Sequence, residues 1–244
     1  MSQPTRVYLI CSPRPRAGKT LSARLCIEFQ SSNARPVLGF DLGADPPGFA
    51  EFLPALATSA SIADIRGQMA LIDNLAASDG HSKVVDIDHR VFESFFAILR
   101  DFDFATEARR NAVSPIILFM AALDEASIKS YTTLREWFPT LTFVPIRNDR
   151  MAYGRDLERT FVCSDRGLFP LKIPRLSHGL QTLIDQPPFS FNDFRTHPTS
   201  CLSLDLRAEL EGWLKRGWRQ LREMELSLQL NELKLSLAKP ATQR

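Results

Sequence analysis

Lys19 and Thr20 close the run Ile10-Cys-Ser-Pro-Arg14-Pro-Arg16-Ala17-Gly18-Lys19-Thr20. A lysine followed by a hydroxyl, at the end of a loop that leads into a helix, is suited to phosphate. The ammonium meets the β/γ-phosphate oxygens and the hydroxyl holds Mg²⁺. The backbone N–H groups of Arg16, Ala17, Gly18, Lys19, Thr20 and Leu21 would cradle the same anion, because the first amides of a helix have no partner within it. Pro13 stands where the GxxxxGKS/T pattern has its first glycine, and Pro15 removes one more amide donor. Both prolines stiffen the loop.

Four further side chains have types and positions that fit such a loop. Asp41 follows the apolar run Pro36-Val-Leu-Gly-Phe40, and Asp45 lies four residues beyond it. A carboxylate at a strand end beside a phosphate loop positions the attacking water or orients Mg²⁺; the competing role is an ordinary turn or helix-cap aspartate. Asp86 ends Lys83-Val-Val-Asp86 and would reach Mg²⁺ through water, with Asp88 as the alternative. Asn148 follows Leu141-Thr-Phe-Val-Pro-Ile146. Its amide suits the edge of a nucleotide base, or a simple turn. His89 has no His or Cys partner at metal spacing and reads as a surface or cap residue.

These residues need strands that end together. The runs 6–10, 36–40, 83–85, 113–120, 141–146 and 168–173 are short and apolar, as buried strands are. Helical spacing separates them. Leu21, Leu25 and Phe29 mark one helix, 49–80 a mixed helical stretch, and Phe92, Phe95, Phe96 and Leu99 a core-facing helix over 91–104. Helices are also expected over 124–138 and 177–184. The alternation predicts an α/β fold, a doubly wound and mostly parallel sheet with helices on both faces and a ligand at the strands' carboxyl ends.

The expected organisation is a nucleotide-binding α/β domain over 1–186, a linker over 187–200 rich in Pro and Phe, and a C-terminal amphipathic helix and tail over 201–244. In that helix Leu210, Leu214, Gly217, Leu221, Met224, Leu228, Asn231 and Leu235 follow heptad steps. Trp213 and Trp218 widen its apolar face, and Lys215, Arg216, Arg219 and Arg222 form a basic patch. The helix suits packing on the α/β domain or on its own copy. The sharper alternative is docking on a partner protein, DNA or a membrane surface.

A net charge of +2, from 30 basic and 28 acidic residues, does not by itself call for a polyanionic partner. Four scattered cysteines without a CxxC pair exclude a zinc ribbon and a disulfide framework. No apolar run approaches a membrane span, and there is no basic-then-apolar leader pattern. A cytoplasmic location is expected.

Taken together over residues 5 to 185, these features resemble the ParA/MinD family of deviant-Walker ATPases. The family's loop reads KGGxGKT, and its first lysine reaches the nucleotide of a partner subunit. Arg14 holds that position here, in Arg-Pro-Arg-Ala-Gly-Lys-Thr, and keeps a charge with forked donors. The family's DxDP motif is replaced by Asp41-Leu-Gly, with Asp45-Pro46 as the next such pair, and Asp86-Ile-Asp-His departs from the usual small residue and proline or glycine. Asn148 matches the base-contacting asparagine, with Asp149 replacing the usual basic neighbour. The resemblance implies ATP and Mg²⁺ bound in a nucleotide-dependent homodimer that positions DNA or other cargo, with slow hydrolysis because the second carboxylate is displaced. Two rival readings are a hydrolysis-deficient nucleotide-binding regulator, and an ATP-dependent ligase or kinase of the dethiobiotin-synthetase type.

Overall fold

The computed structural model describes residues 5–43, 45–151, 157–164, 167–197 and 203–238, with side chains to residue 234. Its first strand, β1 (Thr5–Cys11), is buried along its whole length. Alternation sends its side chains to opposite faces of the sheet. Tyr8 and Ile10 enter one apolar cluster, and Val7, Leu9 and Cys11 enter another.

The chain continues through α1 (Lys19–Ser32), β2 (Val37–Asp41), α2 (Phe49–Phe52), β3 (Ala57–Ser59), α3 (Ile65–Ala76), β4 (Ser82–Asp86), α4 (Phe92–Asp101) and α5 (Phe104–Arg110). It then forms β5 (Val113–Met120), α6 (Glu125–Trp137), β6 (Thr142–Asn148), α7 (Leu157–Thr160), β7 (Leu171–Ile173), α8 (His178–Ile184), α9 (Phe191–Thr196) and α10 (Leu204–Ala238). The strands make one sheet in the order β3-β2-β4-β1-β5-β6-β7, with every pair parallel. Parallel neighbours require crossovers, and helices supply them. Residues of α1, α2, α8, α9 and α10 cover one face, and residues of α3, α4, α5 and α6 the other. The fold is doubly wound α/β.

This order places the site. The chain leaves β1 toward β2 on one side and leaves β5 toward β6 on the other. The crevice beyond the carboxyl ends of β1 and its neighbours is therefore a topological switch point, where such sheets bind ligands.

Three stretches differ from the sequence expectation. The mixed helical region 49–80 contains β3, a three-residue edge strand whose Ala-Thr-Ser sequence has no alternation to read. The helix expected over 91–104 is two helices, broken where Asp103 adopts φ 47°. The described part of the expected linker is folded: α9 buries Phe191 and Phe194, and the Ser190 hydroxyl caps it by accepting from the Asp193 N–H. Residues 198–202 and 239–244, which include the rest of that stretch and the tail, lie outside the described residues.

The heptad positions Leu210, Leu214, Leu221, Met224 and Leu228 of α10 are buried against the α/β body, so the seam belongs to the core. Trp213 is 1% exposed and donates its Nε1–H to the Pro174 carbonyl at 2.7 Å. Gln220 accepts from the Lys172 N–H at 2.7 Å and donates to the Lys172 carbonyl at 2.8 Å, and so pairs the open edge of β7. Glu225 is buried and accepts from the Tyr8 hydroxyl at 2.7 Å, from Gln30 Nε2 and from Arg35. Glu225→Gln keeps the shape but removes the charge and one acceptor oxygen. Its expected cost is about 1–2 kcal/mol, read as a lower urea midpoint at unchanged slope.

Candidate functional site

β1 ends at Cys11, and residues 12–18 turn back over the sheet before α1 begins at Lys19. Arg16 takes φ 54° and Gly18 takes φ 95° to make that turn. At Gly18 a side chain is excluded twice over, because the φ is left-handed and a Cβ would run into the Asn148 amide. The N–H groups of Lys19, Thr20 and Leu21 open the helix toward the switch-point crevice.

The crevice holds a cavity of about 630 Å³. Arg16, Ala17, Gly18, Lys19, Thr20, Leu21, Asp41, Asp45, Asp86 and Asn148 all line it. The structure thus brings together every candidate residue read from the sequence except Arg14. Arg14 lies to one side, its Nη1 3.1 Å from Asp124 Oδ2. Asp124 also caps α6 by accepting from the Ser127 N–H and hydroxyl. Burial raises the Asp124 carboxyl, but these hydrogen bonds and the Arg14 charge outweigh it and hold it below its ordinary range.

Lys19 is buried, and its ammonium donates to the Arg14 carbonyl at 2.8 Å. Burial lowers its pKa, and the nearby Asp86, Asp88 and Cys11 oppose that shift. The Thr20 hydroxyl donates to Asp86 Oδ2 at 2.6 Å, linking the start of α1 to the end of β4. Asp86 sits beside Ile10 on one side and Asp41 on the other in the parallel register. Its second oxygen, Oδ1, is buried and lacks a hydrogen-bond partner. Burial first, and then the neighbouring Asp41 and Asp88 charges, push the Asp86 carboxyl up to about 7 against the Thr20 bond and Lys19.

A carboxyl raised in the folded state contributes stability that is complete below its unfolded value near 4 and is lost as pH climbs to about 7. Glu28, buried in α1 and also raised to about 7 chiefly by burial, acts in the same direction. Asp86→Asn removes one of the two penalties. The variant is expected to be more stable than wild type at pH 8, by on the order of 2–4 kcal/mol, and equal to it near pH 4, in ligand-free urea melts.

The other candidates are engaged locally. Asp41 accepts from the Gly43 N–H at 2.8 Å through Oδ1 and from the Ala50 N–H at 3.0 Å through Oδ2, so both oxygens shape the loop after β2. Asp45 is exposed and pairs with Arg90 at 2.9 Å. Asn148 is buried; it donates to the Ala17 carbonyl at 3.0 Å and accepts from the Arg150 N–H at 3.1 Å, pinning the loop to the end of β6.

Sequence reasoning missed part of the lining. His89, Arg150, Met151 and Asp185 face the same cavity. Asp185 comes from the end of α8, where Arg24, a buried cation of α1, donates to the Ile184 carbonyl at 2.7 Å and stacks on Phe52 at 3.9 Å. No motif marks that residue; only a charge at a buried α1 position hints that a loop must come to meet it. Among the described residues no cluster of three or more His, Cys, Asp or Glu side chains is arranged to hold a metal. None of the described helices is long and apolar enough to cross a membrane.

The arrangement offers a buried cation, free helix amides and a hydroxyl–carboxylate pair at one end of an open cavity, which suits an anion accompanied by a divalent cation. Compared with known proteins, the chain matches no family model and no curated protein.

Proposed function

We propose that this chain binds ATP with Mg²⁺ as a P-loop protein of ParA/MinD type, and that it works as a nucleotide-dependent homodimer switch that places DNA or other cellular cargo in the cytoplasm. The observation that carries the reading is the 2.6 Å bond from Thr20 to Asp86. It joins the first turn of the helix after the loop to the adjacent strand, at the switch point and inside the cavity. A hydroxyl and a carboxylate paired beside a lysine are what a phosphate-bound Mg²⁺ takes from protein, the remaining ligands being phosphate oxygens and water.

The residues fit that ion. The unpartnered, buried Asp86 Oδ1 has no counter-charge bonded to it, and a cation would supply one. Thr20 would hold the ion directly and Asp86 through water. Bound there, it would neutralise phosphate charge. Lys19, now on the Arg14 carbonyl, would turn to the β/γ-phosphates, and the N–H groups of residues 16–21 would donate to the remaining phosphate oxygens. Slow turnover belongs to this reading, because Asp41 has both oxygens committed.

The second reading, a nucleotide-binding regulator that does not hydrolyse, rests on that same commitment and on the outward pairing of Asp45 with Arg90. Light scattering with ATP and Mg²⁺, with ADP and without nucleotide tests the switch. A doubling of mass with ATP alone is expected, and an unchanged monomer under saturating ATP rejects the switch.

A further inference from the structure

The loop that follows β4 carries a carboxylate with an unusual division of labour between its two oxygens. Asp88 Oδ1 accepts from the Arg90 N–H at 2.9 Å and from Arg90 Nε at 2.9 Å, and it lies 3.1 Å from His89 Nδ1. These contacts fix the carboxylate plane. Its Oδ2 has no partner among the described residues. The side chain is only 21% exposed, yet Asp88 lines the cavity that holds Lys19, Thr20 and Asp86. It stands two residues beyond Asp86, and both carboxylates line the same cavity.

The other carboxylates of the cavity are less suited to meeting the attacking water. Asp41 spends both oxygens on backbone amides, Asp86 is tied to Thr20 and is given to the cation in the reading above, Asp185 accepts from Gln181 Nε2 with both oxygens, and Asp45 is exposed on the Arg90 guanidinium. Arg90 thereby spans the loops after β2 and β4 and holds Asp88 from outside the cavity.

We propose that Asp88 is a catalytic residue of this site, its free Oδ2 accepting a hydrogen bond from the water that attacks the terminal phosphate, with Arg90 as the positioning residue that fixes its orientation. The inference rests on the nucleotide reading above. In the step it serves, the water oxygen bonds to the terminal phosphorus as the bridging P–O bond breaks. The nucleoside diphosphate leaves with the electron pair of that bond. One proton of the water stays on the released phosphate and the other passes to solvent. The carboxylate displaced from the second strand is in this way replaced from the fourth.

Asp88→Asn is the informative variant, because it keeps the Oδ1 acceptor that closes the turn on Arg90 and puts an N–H₂ donor where Oδ2 stood. Calorimetry with ATP and Mg²⁺ comes first. A wild type that binds no ATP rejects the nucleotide reading itself, and the Asp88 proposal with it. Given binding, Asp88→Asn is expected to hold ATP within about threefold of wild type. It should bind ADP with aluminium fluoride, which mimics the phosphate under attack, at least about tenfold more weakly, and lose about 100-fold in single-turnover rate. Arg90→Gln is expected to lower the rate with ATP affinity unchanged, and Arg90→Lys to restore part of it. Three results overturn the proposal: a wild type that binds ATP and releases no phosphate, an Asp88→Asn variant as fast as wild type, or a larger loss from Asp45→Asn than from Asp88→Asn.

Discussion

Replacing Lys19 by alanine is expected to weaken ATP binding by at least about 100-fold, or roughly 2.7 kcal/mol, with little loss of folding stability. The two halves of that expectation have separate causes. In the ligand-free protein Lys19 is a buried cation whose ammonium donates to the Arg14 carbonyl, and burial already lowers its pKa. Folding gains little from a charge held in that way. A polyphosphate would meet the same ammonium at short range inside a cavity, where charge-assisted bonds are at their strongest. Calorimetry for affinity and a thermal melt for stability separate the two. Undiminished affinity in the variant contradicts a phosphate site at this lysine.

The second large effect concerns Arg14 and is all-or-none. Arg14→Ala is expected to leave the affinity of the monomer for ATP nearly intact and to abolish ATP-dependent dimerisation in light scattering. In the proposed reading Lys19 and the loop amides would serve the phosphates bound in their own subunit, whereas Arg14 stands outside the cavity and is paired to Asp124 across half-exposed surface. An exposed pair of this kind contributes little to stability, so the guanidinium is available to a stronger anion. Across a two-fold interface each Arg14 would find one in the partner's nucleotide, and association would then depend on nucleotide. A variant that still dimerises with ATP gives Arg14 no such role. Asp124→Asn is the complementary change. It releases Arg14 and is expected to favour the dimer modestly.

What the sequence carried and what it hid follow from how each feature is encoded. The central strands were legible because a parallel strand covered on both faces is a continuous apolar run, as in 113–120. The turn into α1 was legible because its markers are local, with glycine, lysine, threonine and the helix start all adjacent. Asp41, Asp86 and Asn148 were legible as residues that end strands, and the parallel register brings them to one edge. The three-residue β3 was not, since it is an edge strand recruited by pairing to β2 through Gly39, Phe40 and Asp41. The burial of the stretch at 187–197 was hidden too. What draws it in lies on α1, where Arg24 reaches the Ile184 and Phe189 carbonyls and Glu28 accepts from the Phe191 N–H. Bonds that span more than 150 residues of chain have no local signature. The heptad steps of α10 mark an apolar seam that is buried at Leu210, Leu214, Leu221, Met224 and Leu228, but spacing alone does not say which surface a seam meets; Glu225 on Tyr8, Gln30 and Arg35 settles it for this chain.

The most direct measurement is a calorimetric titration of the wild-type chain with ATP, with Mg²⁺ present and again after its removal by chelation. A nucleotide site at Lys19, Thr20 and Asp86 predicts one ATP bound per chain, with affinity in roughly the micromolar to millimolar range of working substrates. It also predicts at least about tenfold weaker binding without Mg²⁺, because the Thr20–Asp86 pair then has no ion to join to the phosphates. No binding at millimolar ATP, or binding indifferent to both Mg²⁺ and Lys19→Ala, would contradict it.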